Sequence, residues 1–301
     1  MALDNAVVIA QGKGGVGKTS LAANLAGLAA HQAGARVLLV DLDQQGNLSR
    51  DLGVPRNDGT ALFQALTGGH VVPVTPDVRP NLALVPGGPA TADLAGVMFS
   101  RIQRGGEQLD SMLEHSLAPV AADYDLIVID TPPGDRLTVE AAMGMSRFLI
   151  IPTTADDGSL DGLELTAQRF INARKHNPDI ELLGVVLFGI AERATAIERD
   201  TRAIVEQLLG GAAPVFNARI RYQAAAAVDA RRKGLLIYEL EQKAVGQRAA
   251  RFAQLAGRKT ATAVDLRTRD AKGLTDDYWN LTAEVLRAIS ASLEEEVSRV
   301  V

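Results

Sequence analysis

The sequence contains Gly12-Lys13-Gly14-Gly15-Val16-Gly17-Lys18-Thr19, which fits the pattern G-x-x-x-x-G-K-[ST]. The stretch directly follows an apolar run, Ala6–Ala10, and opens a helical pattern over Thr19–Ala33. Glycines permit a tight backbone path that points amide N–H groups at phosphate oxygens, and the helix N-terminus adds its positive dipole end. We therefore predict a phosphate loop. Its predicted nucleotide-binding residues are Gly12, Lys13, Gly14, Gly15, Val16, Gly17, Lys18, Thr19 and Ser20.

Three side chains of this loop have predicted chemical roles. Lys18 is expected to reach the β- and γ-phosphates, and the Thr19 hydroxyl is expected to ligate Mg²⁺. Lys13 stands at the start of the loop, where the usual pattern has no lysine and where a cation is badly aimed at its own nucleotide. It could instead cross a dimer interface and neutralise the partner's phosphates, as an arginine finger does in trans.

Carboxylates follow two further apolar strands. Val37–Asp41 runs into Asp41 and Asp43, which are two residues apart and therefore share a face in extended chain. Beside a phosphate loop, such carboxylates hold Mg²⁺ waters or orient the attacking water. Leu126–Asp130 matches a Walker B strand, whose Asp130 is expected to bind Mg²⁺ through water. The stiff Pro132-Pro133-Gly134 that follows is a candidate switch segment.

Short β-type runs alternate with longer helical runs along the chain. Most of the predicted strands are continuously apolar, as expected for parallel strands covered on both faces. The predicted strands are Ala6–Ala10, Val37–Asp41, Leu82–Pro86, Leu126–Asp130, Phe148–Pro152, Leu182–Phe188 and Ala213–Phe216. The predicted helices are Thr19–Ala33, Glu107–Ala121, Leu160–His176, Thr195–Leu209, Tyr222–Lys233, Leu240–Leu255 and Asp276–Leu293. We predict an α/β fold, a single doubly wound and mostly parallel sheet flanked by helices with a helical C-terminal region. Residues 1–301 are expected to form one domain, with a core over about 5–240 and a helical extension over about 240–301.

Composition excludes several classes of protein. The chain has 301 residues, of which 47% are hydrophobic, enough apolar material for a large core. The absence of cysteine excludes disulfides, thiolate zinc sites and cysteine-ligated iron–sulfur clusters. No secretory pattern and no apolar run of about 18 residues is visible, so a cytoplasmic location is expected.

Charge is distributed unevenly. The net charge is −5, yet residues 217–272 carry 13 Lys/Arg against 5 Asp/Glu, a local excess of +8. A basic segment in an acidic protein indicates a local anionic partner better than the average does.

Together these motifs resemble the ParA/Soj branch of the deviant-Walker ATPases, a larger family that includes MinD and the nitrogenase iron protein. The resemblance covers roughly residues 5–240 and rests on Lys13–Thr19, on Val40–Asn47 and on Ile129–Pro133. It implies an ATP-sandwich homodimer with ATP and Mg²⁺, in which Lys13 is the signature lysine and Lys18 the Walker A lysine. It further implies that Thr19 is the Mg²⁺ ligand and that Asp43 activates the hydrolytic water. Asp41 is then a neighbouring acid linked to Mg²⁺, and Asp130 is the Walker B acid.

Two departures from the family pattern concern loop rigidity and partner contacts. The family usually reads Asp-Pro-Gln-Gly-Asn where this chain has Asp43-Gln44-Gln45-Gly46-Asn47, and its switch continues Pro-Pro-Ser where this chain has Pro133-Gly134.

Membrane binding of the MinD type uses a basic amphipathic C-terminal helix. Here Glu294-Glu295-Glu296 would be repelled by anionic lipid, so no membrane partner is expected.

The basic segment resembles the C-terminal region that Soj-like proteins use for sequence-independent DNA binding, because phosphate contacts need no base reading. The candidate DNA-binding residues are Arg219, Arg221, Arg231, Arg232 and Lys233. Phe216 and Asn217, after the last predicted strand, are expected from their position to border the adenine.

The function expected from these features is ATP-dependent partitioning of a plasmid or chromosome. The ATP-bound dimer binds double-stranded DNA non-specifically on the nucleoid, and a ParB-like activator protein releases it by stimulating a weak intrinsic ATPase. Three alternatives stay open at this point: the same switch positioning a protein cargo such as carboxysomes or chemoreceptor clusters, a nucleotide-gated DNA-binding scaffold with little turnover, and a membrane-bound division regulator.

Overall fold

The computed structural model describes residues 2–106, 108–211, 213–256 and 266–300, and within them eight strands form one sheet. The strands are β1 Leu3–Ile9, β2 Val37–Asp41, β3 Thr75–Arg79, β4 Leu82–Val85, β5 Leu126–Asp130, β6 Ser146–Thr153, β7 Glu181–Ile190 and β8 Ile220–Arg221. The helices are α1 Lys18–Gln32, α2 Asn47–Asp51, α3 Thr60–Gly68, α4 Leu94–Gln103, α5 Leu109–Ala121, α6 Arg136–Met145, α7 Asp157–Ala173, α8 Thr195–Leu209, α9 Ala224–Lys233, α10 Ile237–Leu255 and α11 Lys272–Val300. A short 3₁₀ helix, Pro89–Asp93, precedes α4.

The strand order is β3-β4-β2-β5-β1-β6-β7-β8, and of these pairs β3 with β4 is antiparallel while the others are parallel. β1 therefore lies between β5 and β6 near the middle of the sheet. Parallel strands share one carboxyl edge, so the loops that follow β1, β2 and β5 meet at the same place. The predicted fold class, a doubly wound and mostly parallel sheet flanked by helices, is confirmed.

Alternating side chains of each central strand enter two separate cores. In β5, Ile127 and Ile129 point to the core formed with helices α3–α8, whereas Leu126 and Val128 point to the core formed with α1, α2 and α9–α11. A strand covered on both faces has no polar face, which explains its continuous apolar sequence. Leu274, Tyr278 and Leu281 of α11 belong to the second of these cores, beside α1.

The structure differs from the predicted elements at the sheet edges and in the helices α2, α3, α4 and α6, which were not predicted. The run predicted as the strand Ala213–Phe216 makes one isolated bridge, between Val215 and Val185, and the paired strand that follows is β8. β3 was not predicted, because Thr-Pro-Asp-Val-Arg lies exposed at an edge and its sequence is not apolar. The predicted helix over Glu107–Ala121 begins at Leu109, and Glu107 lies outside the described residues.

A search of the described helices for one both long enough and apolar enough to cross a membrane finds none.

Candidate nucleotide-binding site

The phosphate loop connects the carboxyl end of β1 to the start of α1. Gly15 and Gly17 have φ of +81° and +90°, in the left-handed region that glycine adopts without strain. A Cβ at Gly17 would lie 2.3 Å from the ring of Phe188, so the loop also needs glycine there for space. The pattern of glycines read from the sequence thus corresponds to real backbone requirements.

Lys18 is folded back over this loop. Its Nζ donates hydrogen bonds to the carbonyl oxygens of Gln11, at 3.2 Å, and Lys13, at 3.1 Å. Burial lowers the pKa of the Lys18 ammonium, and the nearby Asp130 and Asp43 carboxylates act in the opposite direction. The buried cation is therefore held among carbonyl and carboxylate oxygens at the mouth of the loop.

The three predicted carboxylates converge at the same edge of the sheet. Asp41 ends β2 and Asp130 ends β5, and the two are register partners across these strands. Asp130 is also the register partner of Ile9, the last residue of β1 before the phosphate loop. Asp43 follows in the loop after β2 and is 5% exposed, whereas Asp41 and Asp130 are fully buried.

Asp41 organises the loop that follows its own strand. One of its carboxylate oxygens accepts a hydrogen bond from the Asp43 backbone N–H at 3.0 Å, and the other accepts from the Leu48 N–H at 3.1 Å. Burial and the neighbouring Asp130 raise the pKa of Asp41 well above its ordinary value. Asp41 thus ties the start of α2 to the site, and Asp43 in turn accepts a bond from the Gln45 N–H at 2.9 Å.

Asp130 is the least satisfied of the three. Neither of its carboxylate oxygens has a hydrogen-bond partner among the described residues, although both are buried. Burial raises its pKa to about 7, while the nearby Thr19 hydroxyl and Lys18 ammonium lower it and Asp43 raises it. A buried carboxylate without donors, next to a threonine hydroxyl and a phosphate loop, fits a hydrated Mg²⁺. Within the described residues no group of three or more His, Asp or Glu side chains is placed to chelate a metal, so the metal-binding roles of Thr19, Asp41, Asp43 and Asp130 stay predictions.

Lys13 is held within its own chain in this structure. Its Nζ forms an ion pair with Asp156, the residue that caps the N-terminus of α7. The Thr154 and Ser159 hydroxyls also donate to Asp156 Oδ2, at 2.5 and 2.9 Å. The Lys13 ion pair and these hydroxyls hold the pKa of the Asp156 carboxyl well below its usual range. The lysine predicted to act in trans thus has a partner in cis.

Sequence reasoning missed two residues that fasten α7 to the phosphate loop. The side chain of Gln11, which is 1% exposed, donates to the Ser159 carbonyl at 3.2 Å and accepts from the Gly12 N–H at 2.7 Å. The same Gly12 N–H donates to the Thr166 hydroxyl at 3.0 Å. A polar Gln11 directly after the apolar β1 was the available signal, but its partners lie about 150 residues away and leave no local pattern.

A cavity of about 300 Å³ opens beside the phosphate loop. Gly15 and Ser20 form its phosphate side, and Phe188 and Tyr222 contribute two aromatic rings. Its other lining residues come mainly from α1, the loop after β8, α9 and α11 and include Ala23, Asn24, Ile220, Ala227, Leu236 and Tyr278. The size and mostly apolar walls suit one nucleoside.

Neither Phe216 nor Asn217 lines this cavity, and the expectation that they border the base stays a prediction. The Phe216 ring is buried against Gly184, and the Asn217 amide donates to Glu284 at 3.0 Å. The strand register explains why Phe216 and Asn217 lie away from the cavity. Val215 is bridged to Val185, in the middle of β7, so the chain reaches the carboxyl edge only with β8 and the residues after it.

The five candidate DNA-binding residues divide into two groups. Three arginines form ion pairs within the chain: Arg219 with Glu198 at 2.5 Å, Arg221 with Asp277 at 2.7 Å, and Arg231 with Asp51 at 2.9 Å. Arg232 and Lys233, at the end of α9, are exposed and have no ion pair among the residues that the structure describes. Of the five predicted cations, these two therefore present uncompensated positive charge.

Comparison with known proteins gives a family match. The model of a family described as an AAA domain matches residues 4–182. The chain is 33% identical to the chromosome partitioning protein ParA of Myxococcus xanthus over 207 residues, which are 68% of this chain and 70% of the relative. It is 32% identical to the sporulation initiation inhibitor protein Soj of Bacillus subtilis over 185 residues, 60% of this chain and 71% of that protein.

Solved structures show the same fold. A putative plasmid partition protein from Borrelia burgdorferi bound to AMPPNP superposes with a TM-score of 0.66 at 20% identity, covering 94% of this chain and 98% of the other. Cobyrinic acid a,c-diamide synthase from Mycobacterium smegmatis, with bound ADP and magnesium, superposes with a TM-score of 0.63 at 25% identity, covering 88% and 100%.

Proposed function

The chain belongs to the ParA/Soj-type partition ATPases, and from this premise we propose that it works as an ATP-driven dimerisation switch on DNA. The observation that carries the proposal is the meeting of Lys18, Asp43 and Asp130 at one sheet edge beside the phosphate loop, where the Asp130 carboxylate has no hydrogen-bond partner among the described residues. Those residues are the ones that phosphoryl transfer to water requires, a cation for the phosphates and carboxylates for the metal and the nucleophile.

The reaction we propose is attack of water on the γ-phosphate of ATP. The backbone amides of the loop after Gly12, up to Ser20, and the Lys18 ammonium bind and neutralise the phosphates, while the Gly12 N–H is already held by Gln11 and Thr166. Asp43 accepts a hydrogen bond from the attacking water and orients it. Thr19 and Asp130 would hold Mg²⁺, with Asp41 beside them, and the ion would neutralise negative charge on the phosphates. Asp41 also keeps the loop that carries Asp43 in place through its bonds to the Asp43 and Leu48 N–H groups.

Lys13 supplies the trans contact in this proposal. In an ATP-sandwich homodimer it leaves Asp156 and neutralises the phosphates bound by the partner subunit, so the site is complete only in the dimer. Intrinsic turnover is then slow, and a ParB-like activator protein stimulates it.

The dimer is proposed to bind double-stranded DNA without sequence preference, through phosphate contacts from exposed cations such as Arg232 and Lys233. Release after hydrolysis would let repeated cycles position a plasmid or chromosome in the cytoplasm, on the nucleoid. We further propose that residues 1–301 act as one domain, which the shared core of α1 and α11 supports.

The test is binding to a random-sequence duplex in ADP and in ATP, for the wild type, Asp43→Ala and Lys13→Ala. We expect ATP alone to produce a salt-sensitive complex, Asp43→Ala to retain it and Lys13→Ala to abolish it. If no nucleotide state binds DNA, the DNA part of the proposal is wrong. If DNA is bound but ATP is not hydrolysed even with DNA and partner present, the protein is a nucleotide-gated scaffold. A partner that resides on a protein assembly would instead indicate a protein cargo.

A further inference from the structure

A second cavity, of about 440 Å³, lies between α10 and residues 266–271, which lead into α11. Ala244 and Leu266 are buried and give this cavity an apolar floor. The arginines that line it are Arg248, Arg251, Arg267 and Arg269. None of its described lining residues belongs to the cavity beside the phosphate loop. It also lies beyond residues 4–182, so the family match gives no information about it.

Arg248 joins the two walls of this cavity. Its guanidinium donates hydrogen bonds to the Arg269 carbonyl at 2.5 Å and to the Glu241 carboxylate at 2.9 Å. The segment that carries Arg269 is also fastened to α9, because the Thr268 N–H donates to the Asp229 carboxylate at 2.7 Å. Residues 266–271 are thus attached to two helices, and the cavity between them is a fixed part of the fold.

The other three arginines of the cavity have no counter-charge. Arg251, Arg267 and Arg269 are exposed, and their guanidinium groups form neither an ion pair nor a hydrogen bond with any residue that the structure describes. The Asp270 carboxylate lies 3.8 Å from Arg248 and is 67% exposed, so water screens its charge. Like charges around one cavity repel each other, and an anion that enters it relieves this repulsion.

The chemistry of these side chains indicates which anion fits. A guanidinium is a rigid fork of N–H donors that matches the oxygens of a phosphate in a bidentate manner. A cavity of about 440 Å³ has the size of a small-molecule site and admits a short chain of phosphate groups. The phosphates of duplex DNA lie on the outside of a wide convex rod, which could touch the rim of the cavity but could not enter it.

We propose that this cavity is an anion site that binds a small polyphosphate, through Arg251 from α10 and through Arg267 and Arg269 from the segment before α11. The ligand class is a short chain of phosphate groups, either free or as the phosphate part of a nucleotide. The inference goes beyond the proposed function, because no residue of the ATP site takes part in it. A bound polyphosphate neutralises three guanidinium groups and connects two parts of the chain, so it stabilises the folded protein.

The test uses inorganic tripolyphosphate as the probe. It is titrated calorimetrically into the full chain with ADP in excess, so that the phosphate loop is occupied. We expect the wild type to bind it at one site per chain. The combined variant Arg251→Gln, Arg267→Gln, Arg269→Gln should bind it at least about 10-fold more weakly. Tripolyphosphate should also raise the melting temperature of the wild type but not that of this variant.

The matched control is the combined variant Arg174→Gln, Arg193→Gln, Arg199→Gln. It removes the same charge from exposed positions at the end of α7, in the loop after β7 and on α8. This control should bind tripolyphosphate like the wild type. Because the three cavity arginines have no partners to lose among the described residues, their variant should keep the wild-type melting temperature when no ligand is present.

Three results would overturn the inference. An equal loss of affinity in both combined variants would show a general effect of net charge, and the ADP-loaded wild type might bind no tripolyphosphate at all. Loss of DNA binding in the cavity variant, with tripolyphosphate binding unchanged, would assign these arginines to the DNA surface. None of these results affects the proposed ATPase, whose failure would instead appear as a wild type that does not bind ADP.

Discussion

Asp130 is a buried residue whose charged form costs stability in the absence of a cation. Its carboxylate is fully buried and has no hydrogen-bond donor among the described residues, so its charged form is destabilising in the metal-free protein. Asp41, equally buried, is stabilised by two backbone N–H groups. The two aspartates look alike in sequence, yet only one is left open to an external cation.

Asp130→Asn is expected to stabilise the protein in the absence of Mg²⁺. The folded-state pKa of about 7 lies above the ordinary value of 3.8, so the folded protein binds a proton more tightly than the unfolded chain. Stability due to this group is therefore present at low pH and is lost as pH rises from about 4 to about 7. The variant's free energy of unfolding should exceed that of the wild type by on the order of 2–4 kcal/mol at pH 8, with no difference near pH 4. Denaturant unfolding at both pH values checks this, and equal stability at pH 8 would contradict it.

Asp156→Asn is expected to favour ATP-dependent dimerisation. Asparagine still caps α7 but no longer forms an ion pair with Lys13, which becomes free to reach a partner subunit. Because this pair is partly exposed, the ATP concentration for half-maximal dimer should fall only about two- to fivefold. Light scattering during an ATP titration measures it. Asp157→Asn, a change of the adjacent exposed carboxylate, is the control and should behave like the wild type.

At the scale of elements, two helices end in the same way but in different surroundings. α8 and α9 both end at a glycine in the left-handed conformation, Gly210 with φ of +56° and Gly234 with φ of +60°. A Cβ at Gly210 would meet nothing within 4 Å, whereas one at Gly234 would lie 2.2 Å from the Cα of Gly53. The end of α9 thus rests directly on the backbone that follows α2.

Gly234→Ala should therefore destabilise the protein far more than Gly210→Ala. Both variants carry the conformational cost of about 1 kcal/mol, but only Gly234→Ala also forces two backbone segments apart. We expect a loss of about 1 kcal/mol for Gly210→Ala and at least about 3 kcal/mol for Gly234→Ala. Thermal and urea unfolding give both values, and similar losses would show that the α9 contact is unimportant.

At the scale of the whole molecule, charge pairing decides which cations face outward. Arg219, Arg221 and Arg231 bind carboxylates of α8, α11 and α2, so they connect elements of the chain. Arg232 and Lys233 project from α9 without such partners in the described part of the chain. A local charge excess of the kind read from the sequence therefore overstates the charge available to a ligand.

The combined variant Arg232→Ala, Lys233→Ala should weaken DNA binding by the ATP-bound protein equally on all sequences. Each lost phosphate contact lowers the magnitude of the slope of log K against log salt by about 0.9. The combined variant removes two cations from each subunit, so the magnitude of the slope should fall by about 2 for each subunit of the homodimer that contacts DNA. Titrations between 50 and 200 mM salt measure it. Arg199→Ala, an exposed cation on α8 across the sheet, is the control. An unchanged slope in the combined variant would place the DNA elsewhere.

The sequence by itself determined the parts of this protein that depend on neighbours along the chain. The glycines of the phosphate loop, the apolar strands and the aspartates at their ends could be read directly, because each depends on local backbone conformation or on burial of a short segment. The fold class could be predicted as well, because a sheet of continuously apolar strands must be covered by helices on both of its faces, and few folds achieve this.

Only the tertiary structure decided which distant residues meet. Lys13 and Asp156 are 143 positions apart, and Arg231 and Asp51 are 180 positions apart. The same holds for the register that makes Asp41 and Asp130 neighbours and moves Phe216 away from the cavity edge. Such contacts depend on strand register and on the packing of helices such as α11 on α1. The hydrophobic periodicity of the sequence, 2 residues in strands and 3.6 in helices, predicts neither the register nor the packing partner.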